Sequence, residues 1–473
     1  MTGYPVSMIA LIFLALLGQG TAGPTPKPAG YCELEPSLVE EIQGYKTAVQ
    51  KINEAVTNGK AKGKVYEELA TFVDKFGFRM SGTKNLENAI DYMLNKSMDL
   101  GLDNVHGEPV TVPHWVRGHE EATLLKPRQA NLKLLGLGGS VSTPKDGITA
   151  KVLVVQSFKE LENRANEAKG KIVVFVEKWE SYGKTVTYRV NAAVKTAEAG
   201  GVASLIRSIT PFSISSPHTG WQAYKKGVKQ IPTAAITVED AEMLLRMSKR
   251  GEEIEINLKM EANMMDPVQS RNTVVEVTGH ENKDEYVLVS GHLDSWDVGD
   301  GAMDDGGGAF ISWYSIVLLK QLGLVPKRTV RAVLWTGEEE GLIGAAAYKN
   351  ANPVNNLVLA MESDEGTFSP RGISFKGVPK AVCIMKEVMK LMTPMNATDF
   401  TLSNDIGSDV MVWANSPVPL AALANANEKY FWFHHSDGDR MTVENSKELD
   451  KCLALWASVS YVVANLSVRL PTV

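Results

Sequence analysis

The sequence predicts an α/β protein whose mixed, mostly parallel sheet is flanked by helices, with a second α/β unit inserted in the chain. After Asn272, short β-rich runs alternate with helical segments, a pattern typical of parallel strands joined by crossover helices. Between Trp115 and Asn272 the β-rich runs are shorter, and the pattern of strands and helices differs from the one after Asn272. The chain has 473 residues, more than one hydrophobic core usually supports, so two domains are expected.

Residues 1–22 have the features of a signal peptide. Residues 8–17 (MIALIFLALL) are apolar but too few to span a bilayer about 30 Å thick, and small residues follow. A short buried helix is the alternative interpretation. Export predicts an extracellular location, with lysosomal residence as a further option. The Pro- and Gly-rich stretch that follows is interpreted as part of a pro-segment, residues 23–43.

The first part of the main domain, residues 44–115, is predicted to begin with helices. Residues 38–56 and 65–101 repeat apolar side chains at helical spacing, and Gly101 is a suitable C-terminal stop.

Residues 116–271 are predicted to form the insert. β-rich runs occupy 151–156, 171–177 and 202–206, and a helical run at 190–199 ends in two glycines. The insert contains no convincing catalytic set, and His218 and Trp221 are assigned to structure or substrate contact. A lid, a substrate-size filter and a dimer surface remain open as its role.

The second part of the main domain, residues 272–473, is predicted to alternate strand and helix. Predicted strands are 273–277, 286–290, 329–335, 357–361 and 420–424, and predicted helices are 308–322, 345–350, 379–392 and 447–466. In such sheets ligands bind beyond the carboxyl ends of the strands, so the functional residues are expected there.

Composition excludes some classes of function. The hydrophobic fraction of 44% and the charged fraction of 22% are ordinary for a globular protein. A net charge of −6 argues against a nucleic-acid partner, which usually needs a basic face, although it does not exclude a local charged patch. No stretch after the leader is apolar and long enough for a predicted membrane span.

Cysteine and sequon positions give weaker predictions. Three cysteines are too few for a disulfide framework, and one pair, for example Cys383 with Cys452, is left open. N-glycans are predicted on Asn95, Asn396 and Asn465, because each begins an Asn-x-Ser/Thr tripeptide.

Acidic and imidazole side chains recur where predicted strands end. They are His292 and Asp294, Asp304 and Asp305, Glu338 to Glu340, Glu362, Asp364 and Glu365, and, after a last aromatic strand, His434 and His435. Taken singly, each is more often a cap or a solvated charge. Carboxylates meeting at one rim repel unless protons or cations intervene. Imidazoles with several acids suit zinc, and their number exceeds the needs of one catalytic ion, so two metals are predicted.

The order of these motifs resembles the co-catalytic zinc aminopeptidase and glutamate carboxypeptidase family. His-x-Asp, Gly-Ala-x-Asp-Asp, Glu-Glu, Glu-Ser-Asp and a late His follow one another, and the resemblance covers residues 44–115 and 272–473. The insert resembles a protease-associated domain in KIVVF, AEAGGVASLI and IPTAAITVEDAEML. The resemblance implies a zinc-dependent exopeptidase that acts on small peptides or dipeptides, of the carboxypeptidase or dipeptidase type, working as a homodimer.

The resemblance also implies a metal-ligand set. His292 and Asp364 would hold one Zn²⁺, Glu339 and His435 the second, and Asp304 would bridge the two. His435 is preferred over its neighbour His434 because the late ligand of the family directly precedes a Ser or Thr, here Ser436.

Two further residues receive catalytic roles from the same resemblance. Glu338 would be the general base that activates a zinc-bridging water, and Asp294 would orient His292 by a hydrogen bond. Asp305 stands where many aminopeptidases of the family have Asn.

Two alternative functions remain open. An aminopeptidase of the same family needs an acidic pocket for a free amino end, whereas a free carboxylate end calls for Arg or Lys. The sequence does not say which residues line that pocket. A catalytically dead, receptor-like ectodomain would have lost ligands, and here every expected ligand is present.

Overall fold

The computed structural model describes residues 32–472. The predicted signal peptide and the first part of the predicted pro-segment lie outside these residues. Within residues 32–472, no helix combines the length and apolar character that crossing a bilayer requires.

The helices and strands of the described residues are numbered in chain order. The helices are α1 Pro36–Gly44, α2 Lys46–Thr57, α3 Lys64–Phe76, α4 Lys84–Asp99, α5 Phe158–Asn163, α6 Ala165–Ala168, α7 Tyr182–Glu198, α8 Val238–Lys249, α9 Gly307–Gln321, α10 Ile343–Ala351, α11 Pro379–Met389, α12 Tyr430–Phe433 and α13 Ser446–Asn465. The strands are β1 Asp103–Val116, β2 Glu120–Lys126, β3 Ala130–Leu132, β4 Leu134–Gly136, β5 Ile148–Val155, β6 Ile172–Phe175, β7 Ala203–Arg207, β8 Thr233–Ile236, β9 Glu255–Met260, β10 Asn263–Val277, β11 Asn282–His292, β12 Arg328–Trp335, β13 Leu357–Glu362, β14 Pro370–Lys376, β15 Asp399–Leu402 and β16 Leu420–Asn425.

The main sheet is mixed, as the sequence predicts. Its strand order is β1-β10-β12-β11-β13-β16-β14-β15. The four central strands, β12, β11, β13 and β16, run parallel, whereas β1, β10 and β14 pair antiparallel with their neighbours toward the centre. The carboxyl ends of β11, β12 and β13 therefore meet at one edge of the sheet.

Both faces of the main sheet are covered, which explains why the middle of β11 and most of β13 are apolar on both faces. Along β11, Val287 and Val289 pack into the core shared with α9 and α13, while Tyr286 and Leu288 pack into a second core with Trp335. Helix α9 is buried nearly all round, because it lies between the sheet and α13.

The first helices are shorter than predicted. The periodic run at 38–56 is divided at Tyr45 into α1 and α2, and the run at 65–101 is divided into α3 and α4. The second break follows Gly77, whose φ of 60° lies in the left-handed region and ends α3. Thr83 then caps α4 by accepting a hydrogen bond from the N–H of Leu86. Although α1 falls in the predicted pro-segment, its Ile42 side chain packs in the main core.

The insert contains a second sheet of order β3-β2-β9-β5-β6-β7-β8-β4, with α7 and α8 packed against it. It lies between β1 and β10, two antiparallel neighbours of the main sheet. Strand β10 begins at Asn263, inside the range predicted for the insert.

Two minor predictions fail. The pairing of Cys383 with Cys452 is wrong, because Cys452 is a buried free thiol whereas Cys383 is disulfide-bonded. Asn465 is 5% exposed, and its Nδ2 donates to the Tyr461 carbonyl over 2.7 Å, so a glycan there is incompatible with the fold. Asn95 and Asn396 are exposed.

Candidate metal centre

Five segments deliver acidic and imidazole side chains to the carboxyl edge of the main sheet. His292 is the last residue of β11, Glu339 follows β12, and Asp364 follows β13. Asp304 lies in the loop before α9, and His435 lies in the loop after α12. All five side chains are buried or nearly so.

These five predicted ligands form two groups that share Asp304. His292 Nε2 lies 3.2 Å from Asp304 Oδ1 and 3.3 Å from Asp364 Oδ1. His435 Nε2 lies 3.0 Å from Glu339 Oε2 and 3.4 Å from Asp304 Oδ2. The Asp304 carboxylate thus presents one oxygen to each group.

His434 also reaches this cluster. Its Nε2 lies 3.6 Å from Asp304 Oδ2, and its ring stacks on that of His435 with centroids 3.5 Å apart. The aromatic strand predicted before these histidines is wrong. Residues Tyr430–Phe433 form one helical turn instead, closed by the hydrogen bond from His434 N to Tyr430 O. The choice of His435 as the ligand stays a prediction.

Asp294 supports the cluster differently from the sequence expectation. The Asp294 backbone carbonyl, not its carboxylate, accepts from His292 Nδ1 at 2.9 Å, and the carboxylate lies 3.8 Å away. The carboxylate accepts instead from the backbone N–H groups of Glu338 and Glu339, each at 3.3 Å. Asp294 therefore positions the residues after β12 as well as His292.

Glu338 lies beside the cluster and faces the cavity. Its Oε2 is 3.9 Å from His292 Nε2, and the hydroxyl of Ser408 donates to its Oε1. Burial raises the pKa of Glu338 to about 7, an effect that the nearby imidazole of His292 opposes. Nothing in the sequence pattern identified Ser408.

Two aspartates hold the loop that carries Asp304. Asp305 accepts from the backbone N–H of His292 at 3.0 Å and of Gly308 at 3.2 Å. Asp439 accepts from the N–H groups of Met303 and Asp304, at 2.7 and 3.1 Å. Sequence reasoning did not assign Asp439, although it ends the HHSDGD motif.

The donor set fits divalent cations. Asp304 Oδ2, Glu339 Oε1 and Asp364 Oδ1 are buried without a hydrogen-bond partner among residues 32–472. Burial, strengthened by neighbouring carboxylates, raises the pKa of Asp364 to about 7 and that of Glu339 well above its ordinary value. Cations between these oxygens would relieve both penalties. Burial also lowers the pKa of His435, which favours the neutral imidazole that binds metals.

A cavity of about 510 Å³ opens over the cluster, and the insert forms one wall of it. Tyr182 and Arg189 of α7, with Trp221 and Gln222 of a later loop, line that wall. Among the described residues that line this cavity, Arg189 is the only lysine or arginine. No signal in the sequence distinguishes it from the other basic residues.

Buried carboxylates and imidazoles at the carboxyl edge of a parallel sheet, open to a cavity of this size, define a metal-dependent hydrolase. Residues 272–460 match peptidase family M28. Carboxypeptidase Q of Xenopus laevis is 54% identical over 433 residues, 91% of this chain and 92% of the relative. Carboxypeptidase Q of Homo sapiens is 53% identical over 92% of both chains.

Solved structures agree with these matches. The crystal structure of a peptidase M28 precursor from Shewanella amazonensis SB2B has a TM-score of 0.86 and 32% identity, covering 91% of this chain and 99% of that one. A zinc aminopeptidase from Bacillus subtilis, with a TM-score of 0.65 and 18% identity over 86% and 97% of the two chains, shares the fold. The chain belongs to peptidase family M28, and the resemblance predicted from its motifs is confirmed.

Proposed function

We propose that this protein is a zinc-dependent exopeptidase of the carboxypeptidase or dipeptidase type, with two metal positions and Glu338 as general base. The observation that carries the proposal is the grouping of five predicted ligands around the two oxygens of Asp304. The names of the relatives support the carboxypeptidase part of it.

In this proposal His292 and Asp364 would hold one Zn²⁺, Glu339 and His435 would hold the other, and Asp304 would serve both positions. When bound, zinc supplies Lewis acidity for the scissile carbonyl and lowers the pKa of a coordinated water toward about 7. The protein fixes the ligands in advance through the backbone hydrogen bonds that Asp294, Asp305 and Asp439 accept.

Glu338 has the position and environment of a proton carrier. It faces the cavity next to the candidate ligands, and its free oxygen Oε2 points toward His292 while Ser408 occupies Oε1. Glu338 takes a proton from the attacking water and delivers it to the leaving amine. A general base of this kind contributes typically about 10²–10⁴-fold to the rate.

Arg189 supports recognition of a free carboxylate end. Its guanidinium lines the cavity and has no carboxylate within ion-pair distance among the described residues. Arginine binds carboxylates through paired, charge-assisted hydrogen bonds. The substrate carboxylate would lie against α7 of the insert, with the scissile bond over the metal positions.

Acidic side chains on the other side of the same cavity favour a second candidate, recognition of a free amino end. Glu365 and Asp405 both line the cavity, and burial together with the charge of Asp405 raises the pKa of Glu365. A cationic amino group bound beside them would stabilise both carboxylates. A dipeptide offers one charge of each sign, whereas a strict aminopeptidase would use only the acidic side.

Three further features belong to the same proposal. The second sheet of the insert is consistent with a protease-associated-type domain. Asn95 and Asn396 are the exposed sequons open to glycans in an exported chain. Homodimer formation stays a prediction.

A panel of zinc-loaded assays tests the proposed function. Free, N-blocked and C-amidated forms of one dipeptide are compared by kcat/KM, with zinc content measured on the same samples. We expect two zinc ions per chain, good turnover of the free dipeptide and little turnover of the amidated form. Efficient cleavage of the C-amidated form together with rejection of the N-blocked form would assign the protein to the aminopeptidases instead.

A further inference from the structure

A loop of the insert holds the backbone of the two neighbouring histidines. His218 Nδ1 donates to the His434 carbonyl over 2.5 Å, and the Thr219 N–H donates to the His435 carbonyl over 2.9 Å. His218 and Thr219 are each 1% exposed, so these bonds are shielded from water. Two consecutive carbonyls of the segment that carries His435 are therefore bonded to the insert.

The insert also surrounds Nδ1 of His435. This nitrogen lies 3.2 Å from the Thr219 carbonyl, which can only accept, and 3.3 Å from Arg189 Nη1, which can only donate. The opposite ring nitrogen, Nε2, faces Glu339 and Asp304. Contacts of the outer ring nitrogen orient a ligating imidazole.

A second contact connects the insert to Glu339 indirectly, through Trp296 of the main domain. The Trp296 indole Nε1 donates to Glu339 Oε2 over 2.5 Å. The ring of Trp296 packs directly on the insert, since a Cβ added to Gly138 would lie 2.2 Å from Trp296 Cη2 and 2.7 Å from Trp221 Cε3. Backbone of the insert thus fixes the plane of the ring that holds Glu339.

The other group of candidate ligands has no such support. Within residues 32–472, the hydrogen bonds and ion pairs of the His292 side chain involve only main-domain residues: Asp294, Asp304, Glu338 and Asp364. The contacts of the insert with the candidate ligands are therefore confined to the Glu339 and His435 group.

We propose that the insert sets the affinity of the Glu339–His435 metal position and leaves that of the His292–Asp364 position unchanged, with His218 as its positioning residue. This inference rests on the proposed two-metal function. Without the bond from His218, the His435 segment gains freedom that a cation has to remove on binding.

Zinc affinities of the full-length protein, measured by titration against a competing chelator, test the inference. His218→Leu removes the donor, and His218→Asn replaces it with an amide N–H. Trp296→Phe removes the N–H that holds Glu339, together with the five-membered ring of the buried indole. Ser204→Ala is the matched control, because it removes a buried 2.7 Å bond to Thr233 within the second sheet, away from the loop.

We expect His218→Leu and Trp296→Phe to weaken one zinc by about 10–100-fold, the effect typical of lost outer contacts, and to leave the other zinc unchanged. His218→Asn should restore most of the affinity, and Ser204→Ala should bind both ions as the wild type does. If His218→Leu does not fold, His218→Phe, which also removes the donor but keeps a planar ring, replaces it in the test.

Two outcomes would overturn the inference while the two-metal function stands. In the first, both zinc ions bind to the Trp296→Phe and His218→Leu proteins with wild-type affinity. In the second, the affinities for both zinc ions fall equally in these variants, and they fall equally in Ser204→Ala as well. A wild-type protein that binds fewer than two zinc ions would instead overturn the proposed two-metal function, and this inference with it.

Discussion

Arg189 Nη1 lies 3.3 Å from His435 Nδ1, so a guanidinium on a helix of the insert touches a candidate metal ligand of the main domain. The Arg189 side chain is 9% exposed, and its Nε has no hydrogen-bond partner among the described residues. A buried cation is costly unless an anion pairs with it. In the proposed function, the carboxylate of the substrate would be that anion.

Arg189→Gln should therefore remove the preference for a free carboxylate end. We expect kcat/KM for the free dipeptide to fall about 10–150-fold, the equivalent of about 1.5–3 kcal/mol for a charged hydrogen bond, and the amidated dipeptide to be little affected. Arg189→Lys should keep part of the preference. Lys184→Gln, an exposed cation on the same helix, is the control. An unchanged ratio between the two substrates would remove Arg189 from this role.

Glu338→Gln should retain zinc and lose at least about two orders of magnitude in kcat, because Gln cannot accept a proton. Elemental analysis and steady-state kinetics on the same preparation measure the two effects separately. Glu162→Gln, which replaces an exposed carboxylate of the insert, is the control for the effect of any Glu-to-Gln change on the preparation. Turnover close to that of the wild type would show that another group carries the proton.

His435→Ala should lower the zinc content by one ion per chain, whereas His434→Ala should keep both. The reason is that His435 Nε2 lies 3.0 Å from Glu339, while the shortest approach of His434 Nε2 to a carboxylate is 3.6 Å to Asp304. Zinc-to-protein ratios after dialysis give the answer. The reverse pattern would reassign the late ligand to His434.

Glu177 should give the protein a pH-dependent stability. Burial raises the pKa of Glu177 to about 8, with both carboxylate oxygens lacking partners among the described residues and Arg207 opposing the shift. Between pH of about 4.5 and 8 the folded chain keeps this proton and the unfolded chain loses it. The free energy of unfolding should therefore fall with rising pH, by up to about 1.4 kcal/mol per pH unit, and level off above pH 8.

Urea unfolding of the wild type and Glu177→Gln across this pH range measures that slope. Their difference in unfolding free energy should change steadily between pH 5 and 8, in favour of the variant at high pH. Glu180→Gln, which replaces an exposed carboxylate nearby, should follow the wild type. A constant difference between the wild type and Glu177→Gln would contradict the buried, protonated state.

The sequence predicts the main sheet well because strand and helix there alternate with clear period and length. Breaks within helical runs were missed, since Tyr45 is not a helix breaker and the turn after Gly77 depends on tertiary contacts. The turn Tyr430–Phe433 was interpreted as a strand because aromatic residues favour strands, and a run of four residues shows too little periodicity to decide.

The candidate ligands were identified because each follows a recognisable strand end or motif. Residues that contact the site from distant parts of the sequence are not identified in this way. Arg189, Ser408 and Asp439 owe their places to packing between distant segments, and neither a lone Arg or Ser nor the last Asp of HHSDGD shows by its spacing which segment it contacts. For Asp294 the residue was identified but not the atom, because sequence cannot tell a backbone carbonyl from a carboxylate as acceptor.

If the hydrogen bonds from His218 and Thr219 strengthen cation binding as proposed, they also have a reciprocal effect on the insert itself. Because the coupling between two binding events is reciprocal, any free energy by which the docked insert strengthens cation binding is also the free energy by which the bound cation stabilises docking of the insert. Chelation would then loosen the second sheet without unfolding the first, and proteases would cut between β1 and β10 sooner.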